Sequence, residues 1–179
     1  ISEEYGIRCA METFEAHRQH LAMLDARGRR RTLSARAGID FASNDYLALA
    51  THPALRAAIV SALERDIPVG SGGSRLLRGN HPEHEALEAE AAQFFGAESA
   101  LYFSSGYSAN AALLATLPQR GDLIVYDTLI HASAHEGMRL SRADNAAARH
   151  NDPTAFSEAV SKWRNLGGKG RVWIAVESL

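Results

Sequence analysis

The run from Ala100 to Ser141 constrains the fold more than any other part of the sequence. Leu101, Tyr102 and Phe103 read as the end of a strand, and Ser104-Ser105-Gly106-Tyr107 turns the chain. Ala109 to Leu117 then reads as an Ala- and Leu-rich helix stopped at Pro118. Leu123 to Tyr126 reads as a second strand, closed by Asp127, with His131 just beyond it on a loop or helix start. A strand, a small-residue turn and a helix start bring free backbone N–H groups and the positive end of a helix to one point, which suits a phosphate. Both places fall at the carboxyl ends of strands, where open α/β sheets bind their ligands.

The rest of the chain alternates helices with strands and predicts a βαβ sheet. Residues 10–26, with Met11, Phe14, Leu21 and Leu24 at helical spacing, read as an amphipathic helix, followed by basic residues from Arg27 to Arg36. Those arginines are either a solvated helix end or an anion site, since a guanidinium grips a carboxylate or phosphate bidentately. Ile39-Asp40-Phe41 is a short extended run, and Asn44-Asp45 suits turn capping. Thr51 and Pro53 open a helix whose buried stripe is Leu55, Ile59 and Leu63. The glycine-rich segment at 70–79 has neither dinucleotide-fingerprint nor Walker spacing, and a plain loop is one reading of it. Asn80-His81-Pro82 starts a helix that buries Leu87, Ala91, Phe94 and Phe95 with a buried His84, and Gly96 ends it. Asp152-Pro153 caps a helix carrying Phe156, Val160 and Trp163; Arg171 to Val176 is a buried parallel strand, with Glu177 at its end.

Composition narrows the function classes. At 46% hydrophobic and 22% charged residues, the 179-residue chain is ordinary for a globular protein that buries a core. A net charge of −2 argues against general nucleic-acid binding. The single Cys9 excludes an internal disulfide and a thiolate metal site. No run reaches the ~18 apolar residues of a membrane span, and Ile1 to Ala10 lacks a signal-peptide core, so a cytoplasmic protein is expected. His131 and His135 are four apart but lack the internal Glu and a third ligand, so no metal is expected.

FSSGYSAN at 103–110, followed by Asp127-x-x-x-His131-Ala-Ser, resembles the α-oxoamine synthases, pyridoxal 5'-phosphate (PLP) enzymes with the aspartate-aminotransferase type of fold. The resemblance extends to FASNDYLAL at 41–49, GSGGSRLLRGNHPEHEALE at 70–88, RHND at 149–152 and VES at 176–178, and is greatest for the 8-amino-7-oxononanoate synthases. It implies an α/β fold: a three-layer αβα large domain beginning at residue 51, with residues 1–50 as a helix and arm of the small domain. Ser105, Gly106 and Tyr107 would hold the cofactor phosphate. His131 would stack on the PLP ring and hold the substrate carboxylate, while Glu177 would support the cofactor's surroundings. Arg31, Asn44 and Ser74 would meet the substrates.

The reaction so implied is the decarboxylative condensation of an amino acid with an acyl-CoA or acyl-carrier thioester to an aminoketone. In the biotin branch these are L-alanine and a pimeloyl donor, and the enzyme is a homodimer with no nucleic-acid or membrane partner. Alternatives are 5-aminolevulinate synthase or 2-amino-3-ketobutyrate CoA ligase, which use glycine, and the non-catalytic subunit of a serine palmitoyltransferase-like pair. Leu76-Leu77 suits a long acyl chain better than the polar Gly-Thr-Arg-Asn typical of aminolevulinate synthases. PLP enzymes hold the cofactor on a lysine. Only Lys162 and Lys169 occur, neither in a fitting context, so the sequence is expected to be the N-terminal portion of a longer enzyme, inactive alone.

Overall fold

The computed structural model describes residues 14–35 and 37–178. Residues 10–13 of the first predicted helix, together with Cys9 and Arg36, lie outside the described residues. The chain divides into two units between Val69 and Gly70, each considered by itself.

The first unit holds α1 (Glu15–Ala26), a 3-10 turn at Leu49–Thr51 and α2 (Pro53–Glu64). None of its described residues is buried, and the stripe Leu55, Ile59 and Leu63 is 49%, 63% and 48% exposed, because no element of the unit covers it. The expected buried stripe is corrected accordingly. The α2 cap is His52 rather than Thr51: the imidazole Nδ1 accepts the Ala54 N–H at 3.2 Å, while Thr51 closes the 3-10 turn. Ile39 to Phe41 is not extended either. Asp40 Oδ1 accepts the N–H groups of Ala42 and Ser43, both at 2.9 Å, and this local pairing bends the chain.

The second unit is built on β1 (Leu123–Asp127), which pairs in parallel with β2 (Asp144–Ala148) on one side and β3 (Val172–Ala175) on the other. Alternation along β1 sends side chains to two helical layers. Ile124 packs with Leu114 of α4 (Gly106–Thr116) and with Ala134 and Met138 of α5 (Ala132–Leu140). Leu123 and Val125 face the other way, onto Phe156, Val160 and Trp163 of α6 (Pro153–Asn165). The result is the three-layer αβα arrangement. Asp152 caps α6 by accepting the N–H groups of Thr154 and Ala155. One carboxylate fixes where the sheet begins: Asp122 accepts the Gln119 N–H at 2.9 Å, the Arg171 N–H at 2.8 Å and the Trp173 indole N–H at 3.0 Å. These donors, Gln119 first and then Trp173 and Arg171, hold its pKa below the usual carboxylate range.

Three expectations change here. Leu101 to Phe103 is not a strand; no partner strand flanks it among the described residues, and the Tyr102 N–H is taken by Glu88 at 2.8 Å. Leu87, Phe94 and Phe95 of α3 (Pro82–Phe95) are exposed rather than buried, and His84 is half-buried, accepting the His81 N–H at the helix cap. Ile174 and Val176 are also exposed, because among the described residues β3 has a strand on one side only. Gly96 ends α3 in the left-handed region, as expected.

No helix among the described residues is long and apolar enough to cross a membrane.

Candidate functional site

The site forms where β1 ends and two helices begin. Helix α4 starts three residues earlier than its apolar pattern indicates because Ser105 caps it: Ser105 Oγ accepts the Ser108 N–H at 3.1 Å. The N–H groups of Gly106 and Tyr107 are left with no acceptor among the described residues. Helix α5 starts the same way, with His131 as its cap and the imidazole Nδ1 accepting the Ser133 N–H at 3.2 Å. The two helix starts meet: the Tyr107 and His131 rings lie 6.1 Å apart, edge to face. Close packing of the helices permits this, for at Gly137 a Cβ would lie 2.8 Å from the Ala111 carbonyl oxygen.

Three further groups hold the neighbourhood of His131. Glu177, two residues beyond β3, accepts the His131 backbone N–H on Oε2 at 3.1 Å. Ser133 Oγ lies 2.8 Å from His131 Nδ1 and accepts from the Asn110 amide at 3.1 Å. Asp127 accepts the Leu129 N–H at 2.8 Å and faces His150 Nδ1 at 3.0 Å, so the end of β1 is tied to the loop before α6. The Leu129 N–H in first place, with His150 beside it, keeps Asp127 below the usual carboxylate range. Burial works against both.

The structure therefore brings together Ser105, Gly106, Tyr107, His131 and Glu177. Ser74 lies elsewhere in the second unit, at the start of a folded turn: its carbonyl accepts the Leu77 and Gly79 N–H groups. That turn is pinned to α3 by a bidentate pair, Arg75 Nη1 and Nη2 to the Glu88 carboxylate at 2.5 and 3.0 Å, so the plain-loop reading does not hold. Arg31 and Asn44 lie in the first unit, both exposed. His135 packs edge to face on Tyr126 at 5.3 Å. No group of three or more potential metal-ligating side chains occurs among the described residues.

Chemically, two free N–H donors at the positive end of a helix, with two serine hydroxyls beside them, suit a dianionic phosphate ester. An exposed imidazole beside them suits a flat ring. The donor set thus fits PLP at its phosphate and ring, but neither lysine stands near. Lys169 precedes β3, where Gly170 lies against Gly121 at the amino ends of the strands. Lys162 lines a groove with Leu123 and Asp144, at the same edge. Sequence reading did not find Asn110 and Ser133. They are 23 residues apart, and no local pattern links an exposed helix asparagine to a buried serine.

Comparison with known proteins gives a consistent picture. The family model for aminotransferase class I and II matches residues 36–178. An 8-amino-7-oxononanoate synthase of Emericella nidulans is 46% identical over 160 residues, covering 84% of this chain and 39% of the relative. The solved serine palmitoyltransferase of Sphingomonas wittichii aligns at a TM-score of 0.56 and 37% identity, over 60% of this chain and 27% of that one. A serine palmitoyltransferase of S. paucimobilis, solved with bound PLP, shares the fold at a TM-score of 0.69 and 23% identity, over 85% of this chain and 43% of that one. The chain spans about two fifths of the length of the curated relative.

Proposed function

The chain belongs to the aminotransferase class I and II family, in its α-oxoamine synthase branch, and from that premise we propose that it carries the phosphate cradle and the stacking histidine of a PLP-dependent acyltransferase. The observation that carries this reading is the pair of N–H groups at Gly106 and Tyr107 without an acceptor among the described residues, with the Tyr107 ring against His131 beyond the end of β1. The reaction is the decarboxylative condensation of an amino acid, L-alanine, with a pimeloyl-type thioester in biotin biosynthesis. The 46% identity to an 8-amino-7-oxononanoate synthase and the exposed Leu76 and Leu77 support that choice of substrates. A second reading, condensation on serine as in serine palmitoyltransferases, is supported by the 37% identity to the S. wittichii structure.

When bound, PLP supplies an electron sink for a carbanion. The chain's own residues bind and orient. The Gly106 and Tyr107 N–H groups, with Ser105, would hold the phosphate, and His131 would stack on the ring and donate to the substrate carboxylate. Glu177 holds the His131 backbone in place, and Ser74, Asn44 and Arg31 meet the substrates. Residues 51–179 begin the cofactor-binding large domain and residues 1–50 belong to the small one. The whole protein works as a cytoplasmic homodimer.

Gly106→Pro tests the cradle. Ser105, at φ −157° and ψ 153°, already has the backbone a residue before proline requires, and proline fits the first helical position. The variant removes one N–H and keeps the helix. PLP affinity of the whole protein should fall roughly tenfold to a hundredfold, the worth of a hydrogen bond to a charged group. Unchanged affinity would remove the phosphate from this helix. His131→Ala should keep the fold and lose on the order of a few kcal/mol of transition-state stabilisation. Turnover within twofold of the parent, roughly 0.4 kcal/mol, would refute the stacking role.

A further inference from the structure

Ser133 is fully buried, yet its hydroxyl has a side-chain partner on either side, His131 Nδ1 at 2.8 Å and Asn110 Nδ2 at 3.1 Å. The direction of this chain of bonds is set by a group whose proton cannot move. The Ser133 backbone N–H points at the same Nδ1 from 3.2 Å, and a backbone N–H only donates. A protonated Nδ1 would face that donor head on, so Nδ1 carries no proton. The Ser133 hydroxyl, beside the same lone pair, then gives its hydrogen to Nδ1, and its own lone pairs are free for the Asn110 amide. The one ring proton of neutral His131 is left on Nε2.

We propose that Asn110 and Ser133 are positioning residues for His131: the relay Asn110–Ser133–His131 fixes the imidazole as its Nε2–H tautomer, so that the ring offers a single donor to an acceptor outside the chain. Glu177 holds the backbone of the same residue, so backbone placement and ring proton position are set by separate contacts. The acceptor is the carboxylate of the amino substrate, a clause that rests on the function proposed above; the tautomer itself does not.

Nitrogen-15 NMR of histidine-labelled chain, recorded where imidazole is neutral, tests the relay with no cofactor present. The parent should show a proton on Nε2, an Nδ1 resonance displaced from its free position by hydrogen bonding, and a slowly exchanging Ser133 hydroxyl proton. Ser133→Ala keeps the backbone N–H but loses the hydroxyl, so it should move Nδ1 part of the way toward its free position, and Ser133→Thr should restore the displacement. Asn110→Asp puts a carboxylate where a donor stood; it should turn the Ser133 hydroxyl away and shift Nδ1 by the same part of the way, with the backbone N–H left in place. Asn110 is exposed, so this second variant decides the matter if Ser133→Ala does not fold. A proton on Nδ1 in the parent, or an Nδ1 resonance unmoved in Asn110→Asp, would overturn the proposal. Loss of PLP binding with the tautomer intact would count only against the function proposed above.

Discussion

Helix α2 and strand β1 carry similar apolar residues and treat them in opposite ways. Leu55, Ile59 and Leu63 on α2 are about half exposed, whereas Leu123, Ile124 and Val125 on β1 are 2%, 0% and 0% exposed. Both segments are apolar enough to bury, so hydrophobicity does not decide between them. What differs is the company each keeps inside its own unit. Strand β1 has a strand on each side and helices on both faces, while among the described residues of its own unit α2 meets chiefly a short 3-10 turn. An apolar stripe states a demand for cover, and only returning chain supplies it.

The sharpest way to break this contrast is a pair of truncations. Ile124→Ala should cost about 2–5 kcal/mol in urea unfolding, since it empties a closed site. Ile59→Ala, at an exposed position, should stay within about 0.5 kcal/mol. Equal losses would mean that α2 is covered in solution as thoroughly as β1. Next in size is Gly137→Ala. Its new Cβ would lie 2.8 Å from both the Ala111 carbonyl oxygen and Leu114 Cβ, and forcing α4 and α5 apart should cost about 1–3 kcal/mol. A loss confined to stability, with the Tyr107–His131 contact intact by NMR, would show that the two helix starts are held independently of the helix seam.

The Arg75–Glu88 pair gives a smaller, pH-dependent effect. The Arg75 guanidinium, followed by the Tyr102 N–H, lowers the Glu88 pKa from 4.5 to about 2. A lowered carboxylate pKa stabilises the fold fully above the unfolded value and loses that contribution as pH falls through the folded one. The stability that Arg75→Ala removes should therefore be present above pH 4.5 and fade toward pH 2. An Arg75→Ala penalty that does not change between those limits would mean that the pair does not hold the glycine-rich turn. The smallest expected effect is none. Borohydride reduction with PLP should leave Lys162 and Lys169 unlabelled, because both lie at the edge of the sheet opposite His131. Stoichiometric label on either would move the cofactor to the other end of the strands.

Those contrasts also mark what was legible in the sequence. Strand β1, the capped helix α6 and the helix starts near Ser105 and His131 could be read, because each has a local cause in alternation or capping. Strand β2, with the sequence Asp-Asn-Ala-Ala-Ala, could not: its residues have little strand preference, and the strand exists because β1 lies beside it. The same reasoning applies to Leu101–Phe103 in reverse, a good strand former without a partner. At the site, the Ser105–Tyr107 turn and His131 were visible as motifs. The groups that hold His131 were not, because Glu177 lies 46 residues from it in sequence and Asn110 lies 23 from Ser133.

Asp122 carries a consequence for the order of assembly. Two of its three donors, Arg171 and Trp173, lie 49 and 51 residues further along, on the far side of α5, β2 and α6. Until that last strand arrives, the carboxylate beside the central strand keeps its water and only its Gln119 contact. Strand β3 must also enter against β1 in one register, since a slip of one residue would turn Trp173 to the opposite layer and take its indole from Asp122. The carboxylate thus acts as a late checkpoint on strand order, satisfied only when the earlier crossovers have closed. Mutating Trp173 to Phe should accordingly speed unfolding and leave the folding rate nearly untouched, a φ-value of about 0–0.3.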